Sequence, residues 1–370
     1  MKIAVNALSV VSGMTGIGCY THDLLSSLAK YGELYHYLFI TGTHFSQMDI
    51  NNKSNITQLK IDKPNRLWEE LQMPTELLSH GVELYHSPIF TCPIIDEIPA
   101  VITIHDTIPE IHPELCSQNF LNFYQERIHP SLRAAKKIIT TSIFSRNEIS
   151  KYLKINPEKI SVIYQGISDK FSPENKNQIT SILEKFKLPE KYILYVGMIE
   201  SRKNIETLIA AFGKIAKEIK DYWLIIVGRH DDKNYTLEKA IEESSNKERI
   251  KEMGYMEDTD LKVLYAGAEV FVFPSLYEGF GRPVVEAMAS GTAVIASDTS
   301  SLPEIVDEAG ILVPPKDSDI LAENLLKICK DSQIRNSFIN RGLKRAKEFT
   351  YSKFAKQLMD FYKECEELVY

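Results

Sequence analysis

The stretch Val270–Gly291, VFVFPSLYEGFGRPVVEAMASG, gives the architecture in miniature. Apolar β-branched and aromatic residues run to Phe273 as a buried strand, and glycines with small side chains follow as far as Gly281. Pro283 suits the first turn of a helix and Gly291 its end. The next residues, AVIASD, read as another strand, so the unit is strand–loop–helix–strand. The same alternation fills the chain. KIAV, YHYLFIT, ELYHS, AVITIHD, KIITTS and SVIYQG are the strands of the first half; YILYVG, WLIIVG, VFVFPS, AVIASD and GILVPP are those of the second. The fold class is therefore α/β, as two doubly wound parallel sheets in tandem.

A chain of 370 residues exceeds what one hydrophobic core usually serves, in agreement with two domains. With 44% apolar and 25% charged residues it is a well-packed globular protein, and its net charge of -7 gives no reason to bind nucleic acid. Cys19, Cys92, Cys116, Cys329 and Cys365 are odd in number and scattered, which points to a reducing compartment and no zinc site. No apolar run approaches the roughly 20 residues needed to span a bilayer. The expected location is cytoplasmic, with peripheral contact at the inner face of the plasma membrane left open. NFLNFYQERIHPSLRAAKK, residues 119–137, reads either as an amphipathic, partly basic face for such a contact or as an ordinary packed helix.

The segment Ser168–Lys191, polar, with two prolines and one short helical pattern, has the composition of a linker, which sets domain ranges of 1–170 and 171–351. The last segment, 352–370, starts at Ser352 as an expected N-cap and carries Phe354, Leu358, Phe361 and Leu368 at helical spacing. It is expected to return to the first domain.

Near the N-terminus, GMTGIGCY, Gly13–Tyr20, has the spacing G-x-x-G-x-G, but it is not a dinucleotide fingerprint. Such a fingerprint places its first glycine at the tip of the strand and an acidic residue about 20 positions on. Here several residues separate KIAV from Gly13, and the second strand ends in Ile40 and Thr41. In front of a helix that Gly32 terminates, the loop either lets backbone approach a ligand or merely turns the chain.

Seven residues separate Glu278 from Glu286, with Gly279, Phe280, Gly281 and Pro283 between them. Amides at the helix start form an anion site, and a glutamate one turn in, leaning back toward that end, can accept from two adjacent hydroxyls such as those of ribose. This stretch resembles the donor-binding motif of the large retaining glycosyltransferase family, glycosyl transferases group 1, that includes bacterial glycogen synthase and polysaccharide mannosyltransferases. The similarity extends over essentially the whole chain. It implies the GT-B fold, two Rossmann-like domains facing an interdomain cleft, the first binding the acceptor and the second the nucleotide-sugar donor.

By that resemblance Glu286 binds the ribose of the donor, Glu278 with the backbone of Phe280 and Gly281 holds the transferred sugar, and Gly279 is part of the same donor-binding loop. In YVGMIESRKNIETLIAAF, Gly197 ends a strand, and Arg202 with Lys203 meets the diphosphate; many members carry Arg where this chain has Met198. His105, at the strand tip in VITIHDTIPEIHPE, corresponds to a histidine near the transferred sugar, and Gly16 and Gly18 face the diphosphate from the first domain. Ser142, Ser145 and Arg146 cap a helix or brace the cleft. The region Gly254–Glu257 is expected near the base. Acidic triplets at Asp258–Asp260 and Asp317–Asp319 precede helical runs and read as caps, so no metal ligands and no cofactor beyond the sugar nucleotide are expected.

The implied activity is retaining transfer of a hexose or deoxyhexose, mannose from GDP-mannose by best match, to a hydroxyl of a glycan or lipid-linked acceptor in polysaccharide or O-antigen synthesis. A sugar-nucleotide 2-epimerase of the same architecture and an inactive nucleotide-sugar-binding protein are the alternatives.

Overall fold

The computed structural model describes residues 1–370 apart from 12, 15, 44, 46–52, 63, 66–67, 231–236 and 370. The chain divides into two compact units, Met1–Ser168 with Thr350–Tyr370, and Asp169–Phe349.

The first unit is built on β1 (Lys2–Asn6), β2 (His36–Gly42), β3 (Ile56–Ile61), β4 (Leu84–Ser87), β5 (Ala100–Thr103), β6 (Ala135–Thr140) and β7 (Ile160–Val162). They form a parallel sheet in the order β3-β2-β1-β4-β5-β6-β7. Because successive side chains of a strand point to opposite faces, each strand feeds two cores. Ile3, Val5, Tyr37 and Phe39 enter one, Ala4, Leu38 and Ile40 the other.

The core of Ile3 and Val5 is closed by the helix Ile17–Tyr31 and by the last helix, Tyr351–Cys365. Phe354, Leu358, Phe361 and Tyr362 are buried there, so the returning segment belongs to this unit. Its cap is Thr350, whose hydroxyl accepts from the Lys353 amide; Ser352, expected as the cap, lies inside the helix. Leu368 is exposed in a 3-10 turn, and Tyr370 lies outside the described residues. Buried Asp23 ties the chain where it leaves and re-enters the unit, accepting from Gln165 Nε2 at 2.9 Å and from the Tyr351 hydroxyl. Ile167 and Thr350 form a parallel bridge beside it.

The second unit carries β8 (Lys191–Val196), β9 (Tyr222–Val227), β10 (Ile250–Glu252), β11 (Val270–Phe273), β12 (Val294–Ser297) and β13 (Ile311–Val313). These are parallel, in the order β10-β9-β8-β11-β12-β13. The segment Ser168–Lys191 opens this unit, from Asp169 on. It contains a helix, Lys176–Phe186, capped by Asn175, and Lys170 and Lys185 pair with Asp258 and Asp260 of the helix Asp258–Gly267. Those two aspartates therefore form ion pairs in a first turn whose N-cap is Glu257, a correction to their reading as caps. Asp317 does cap, accepting from the amides of Asp319 and Ile320. The five cysteines are free thiols, and no helix of the described residues is long and apolar enough to cross a membrane.

Candidate active site

In the second unit β11 delivers the chain into the loop Pro274–Gly281, and the helix Arg282–Ala289 leaves from it. Gly281 is its N-cap with φ 98°, a backbone state that L-residues rarely adopt, and a Cβ there would stand 2.7 Å from Leu302 Cδ2. Pro283 occupies the first turn, where its missing amide hydrogen costs nothing. The loop is pinned by the turn after β12: the Ser301 hydroxyl donates to the carbonyls of Glu278 and Phe280, and the Glu278 amide donates to Ser300 Oγ at 2.9 Å. The Phe280 ring is buried edge-on against Phe349. Gly279 lies between these anchored residues.

Glu278 is 8% exposed and is the centre of an ion cluster. Its Oε1 lies 2.6 Å from Lys203 Nζ and 3.2 Å from an Arg202 nitrogen. Lys203 also sits over the Phe273 ring, 5.2 Å from its centroid. Arg202 is fixed from two further sides, by Glu200 at 2.5 Å and by the Tyr277 carbonyl at 2.7 Å. Both cations project from the 3-10 turn Ser201–Lys203 that precedes the helix Ile205–Ile215. Burial pushes the Glu278 carboxyl up, but Lys203 and then Arg202 outweigh it and hold it below the usual range. Burial and the neighbouring Arg202 lower the Lys203 ammonium, with Glu278 and Glu200 acting the other way. Two cations and two carboxylates thus share one small volume.

Gly197 follows β8 directly and Gly228 follows β9. A Cβ on Gly228 would stand 1.8 Å from the Gly197 carbonyl oxygen, so the two strand ends meet backbone to backbone. The Gly228 amide donates to the Gly254 carbonyl at 2.9 Å, which joins the Gly254–Glu257 region to the same row of strand ends. Glu286 is 2% exposed, with Arg282 2.6 Å from Oε1 and the Tyr265 hydroxyl 3.0 Å from Oε2.

In the first unit His105 follows β5. Its Nε2 lies 2.9 Å from the Pro88 carbonyl, an acceptor, so Nε2 carries the hydrogen and Nδ1 the lone pair. Burial lowers its pKa, against opposing effects of the Pro88 bond and Asp106, which keeps the ring neutral. The Tyr20 ring packs edge-on at 4.6 Å, and Ser145 Oγ donates to the His105 carbonyl at 3.0 Å. Ser142 caps the helix Ile143–Tyr152 by accepting from the Ser145 amide. Gly16 precedes the helix Ile17–Tyr31 as its N-cap, and Gly18, in the first turn, faces Met14 and Ser9. The segment 119–137 contains the helix Gln118–Ala134, burying Tyr124, Ile128 and Leu132 and leaving Phe120 and Phe123 exposed.

The family model described as Glycosyl transferases group 1 matches residues 178–345, and that described as Glycosyltransferase Family 4 matches residues 15–171. The O-antigen chain mannosyltransferase B of Escherichia coli is 32% identical over 98% of this chain and 100% of its own length. The chain belongs to the glycosyl transferases group 1 family. A second relative of this glycosyltransferase, the O-antigen chain mannosyltransferase RfbU of Salmonella typhimurium, is 33% identical over 58% of this chain and 57% of its own. Among solved structures, sucrose-phosphate synthase from Thermosynechococcus elongatus has a TM-score of 0.75 at 23% identity, covering 99% of both chains. Anabaena HepE in complex with UDP and glucose has a TM-score of 0.77 at 19% identity, covering 98% of this chain and 100% of its own. At these identities the likeness is one of fold, and that fold is GT-B.

In this glycosyltransferase Gly197, Arg202, Lys203, Glu278, Gly279, Phe280, Gly281 and Glu286 lie in the second unit, where Arg202 and Lys203 meet Glu278; Gly16, Gly18 and His105 lie in the first. Four residues that sequence reading passed over bear on the first group: Ser300 and Ser301, which anchor the loop, and Tyr265 and Arg282, which engage Glu286. Arg282 had a signal in the sequence. A cation at the start of a helix opposes the helix dipole and calls for an acidic partner one turn on. Among the described residues no group of three acidic, histidine or cysteine side chains is placed to hold a metal ion.

Proposed function

We propose that this glycosyltransferase is a retaining mannosyltransferase that moves mannose from GDP-mannose to a hydroxyl of a glycan or lipid-linked acceptor in O-antigen-type polysaccharide synthesis. The observation that carries the sugar and the pathway is the identity with the O-antigen chain mannosyltransferase B of Escherichia coli, which spans that relative from end to end. The ion cluster on Glu278 supports donor binding by the second unit, and the first unit takes the acceptor.

An incoming diphosphate competes with Glu278 for Lys203 and Arg202 and draws both toward its oxygens. Glu278 Oε1 is then released to accept hydroxyls of the transferred sugar, so phosphate binding and sugar binding are coupled through one carboxylate. Amides at the start of the helix Arg282–Ala289, with the two cations, stabilise the charge that builds on the leaving phosphate. Glu286 accepts the ribose hydroxyls. In the first unit His105, neutral and with its lone pair on Nδ1, is an acceptor for a sugar hydroxyl, and the Gly16–Gly18 backbone a donor to phosphate. Retention without a side-chain nucleophile follows from front-face attack, a donor phosphate oxygen taking the acceptor proton as the glycosidic bond to phosphate breaks and the new one forms.

The test is a thermal-shift series with GDP, UDP, ADP, dTDP and NAD, with Glu286→Ala beside the wild type, followed by incubation of GDP-mannose with lipid-linked glycan. A ligand at 100 times its dissociation constant stabilises the folded state by about 2.7 kcal/mol. Stabilisation by GDP that Glu286→Ala abolishes, with mannose transferred at retained anomeric configuration, is the expected result. Stabilisation by UDP alone moves the donor to another sugar. Conversion of the sugar nucleotide without any acceptor makes the enzyme an epimerase, and stabilisation by NAD alone sinks the reading.

A further inference from the structure

We propose that Arg282 and Tyr265 are positioning residues that hold the Glu286 carboxylate for the two ribose hydroxyls of the donor; the inference rests on the ribose role of Glu286 given above. Glu286 is 2% exposed, and an ionised carboxylate that deep in the protein needs fixed partners. It has one on each oxygen, Arg282 at 2.6 Å from Oε1 and the Tyr265 hydroxyl at 3.0 Å from Oε2. A carboxylate oxygen offers two lone-pair directions. An oxygen held by a protein donor can therefore still accept from a hydroxyl, and with both oxygens held the carboxylate is fixed in place for two vicinal hydroxyls.

The partners are themselves held. Tyr265 is buried and packs edge-on against both Phe171 and Phe271, while the Arg282 guanidinium lies 6.0 Å from the Phe171 ring centroid. Arg282 is also the first residue of its helix, where a cation meets the positive end of the dipole. The ion pair with Glu286, four residues on, offsets that penalty, so the arginine at this position serves the carboxylate and not the helix.

The experiment is calorimetric titration of the full-length protein with GDP, UDP and ADP and with the 2′-deoxy and 3′-deoxy forms of each. Wild type is expected to favour the ribose form of its nucleotide by about ten-fold or more, the size of one hydrogen bond to an ionised group. Arg282→Leu and Tyr265→Phe are expected to lose that preference while binding the deoxy form as wild type does, and Arg282→Lys to recover part of it. A variant that had merely unfolded would lose both forms alike, so the ratio reports the carboxylate and not the fold. An unchanged ratio in Arg282→Leu overturns the inference, as does tighter binding of the ribose form, which would make the guanidinium a competitor of ribose. Glu286→Ala separates the two claims. If it keeps the wild-type ratio, the ribose role itself fails; if it loses the ratio and Arg282→Leu does not, only the positioning role fails.

Discussion

Glu278 contacts two cations through one oxygen, so its removal does more than delete a hydrogen bond to sugar. Glu278→Ala is expected to abolish transfer while nucleoside diphosphate binding is kept or tightened, since Lys203 and Arg202 lose a competitor; equal loss of binding and turnover would contradict the coupling. A second effect at this scale concerns protons. His86 is wholly buried between the Tyr362 hydroxyl at 2.7 Å and Thr103 Oγ1 at 3.1 Å, and burial pulls its pKa from 6.5 down to about 3. Below pH 6.5 the unfolded chain binds a proton that the folded chain refuses, so stability falls as pH drops through the window down to about 3. His105 adds to the same direction. His86→Gln is expected to be less stable at pH 7 but to show a shallower decline in urea midpoint between pH 7 and 5; a slope as steep as wild type would rule out His86 as its source. What the sequence displayed at this scale was residue type and spacing, enough to nominate Glu278, Glu286 and Lys203. It could not display that Ser301 bonds two carbonyls of the glycine loop, because that contact joins segments more than 20 positions apart.

Among elements, the eleven strands read from hydrophobic runs are present in the two sheets, and the two strands not foreseen, β3 and β10, are both at sheet edges. β3 reads ITQLKI and leaves much of itself in solvent, and β10 has three residues, so neither carries the continuous apolar run of a strand buried on both faces. The polar residues of Ser168–Lys191 do two jobs that composition does not separate: some are the outer side of the short helix Lys176–Phe186, and Lys170 and Lys185 are ion-pair partners of the helix Asp258–Gly267. The strand ends themselves offer a sharp contrast between two glycines. Gly228→Ala puts a methyl group into the Gly197 carbonyl and is expected to destabilise by about 1–3 kcal/mol or more and to weaken nucleotide binding, because the loop before Arg202 must move. Gly213→Ala, inside the helix Ile205–Ile215 with Ser244 Oγ at an ordinary 3.7 Å, is expected to gain about 0.5–1 kcal/mol instead. Chemical denaturation of the two variants side by side checks both, and a stable Gly228→Ala would mean that the strand ends are looser than drawn.

For the molecule as a whole, both sheets and their helices follow from alternating patterns, whereas the return of the last segment, which holds the helix Tyr351–Cys365, to the first domain is an expectation of the family resemblance, since apolar spacing shows that a helix has a buried face but not which core receives it. That helix buries Phe354, Leu358, Phe361 and Tyr362, each worth roughly 1.5–3 kcal/mol of apolar burial, in a core whose other members come from the first half of the chain. Removal of residues 350–370 is therefore expected to leave the first unit unable to fold, while the second, residues 169–349, folds alone; amide exchange on the truncated chain tests this, and protected amides throughout the first unit would refute it. The bridge between Ile167 and Thr350, with Asp23 holding Gln165 on one side and Tyr351 on the other, has a consequence for how such a chain can be remade. The second unit is a cassette inserted at a single doorway: the chain leaves the first unit and comes back to it at neighbouring residues, Ile167 and Thr350, which are bridged to each other. Residues 169–349 can be cut out and the gap closed by a few glycines, or exchanged for a cassette that reads a different nucleotide, without asking the scaffold to change its shape.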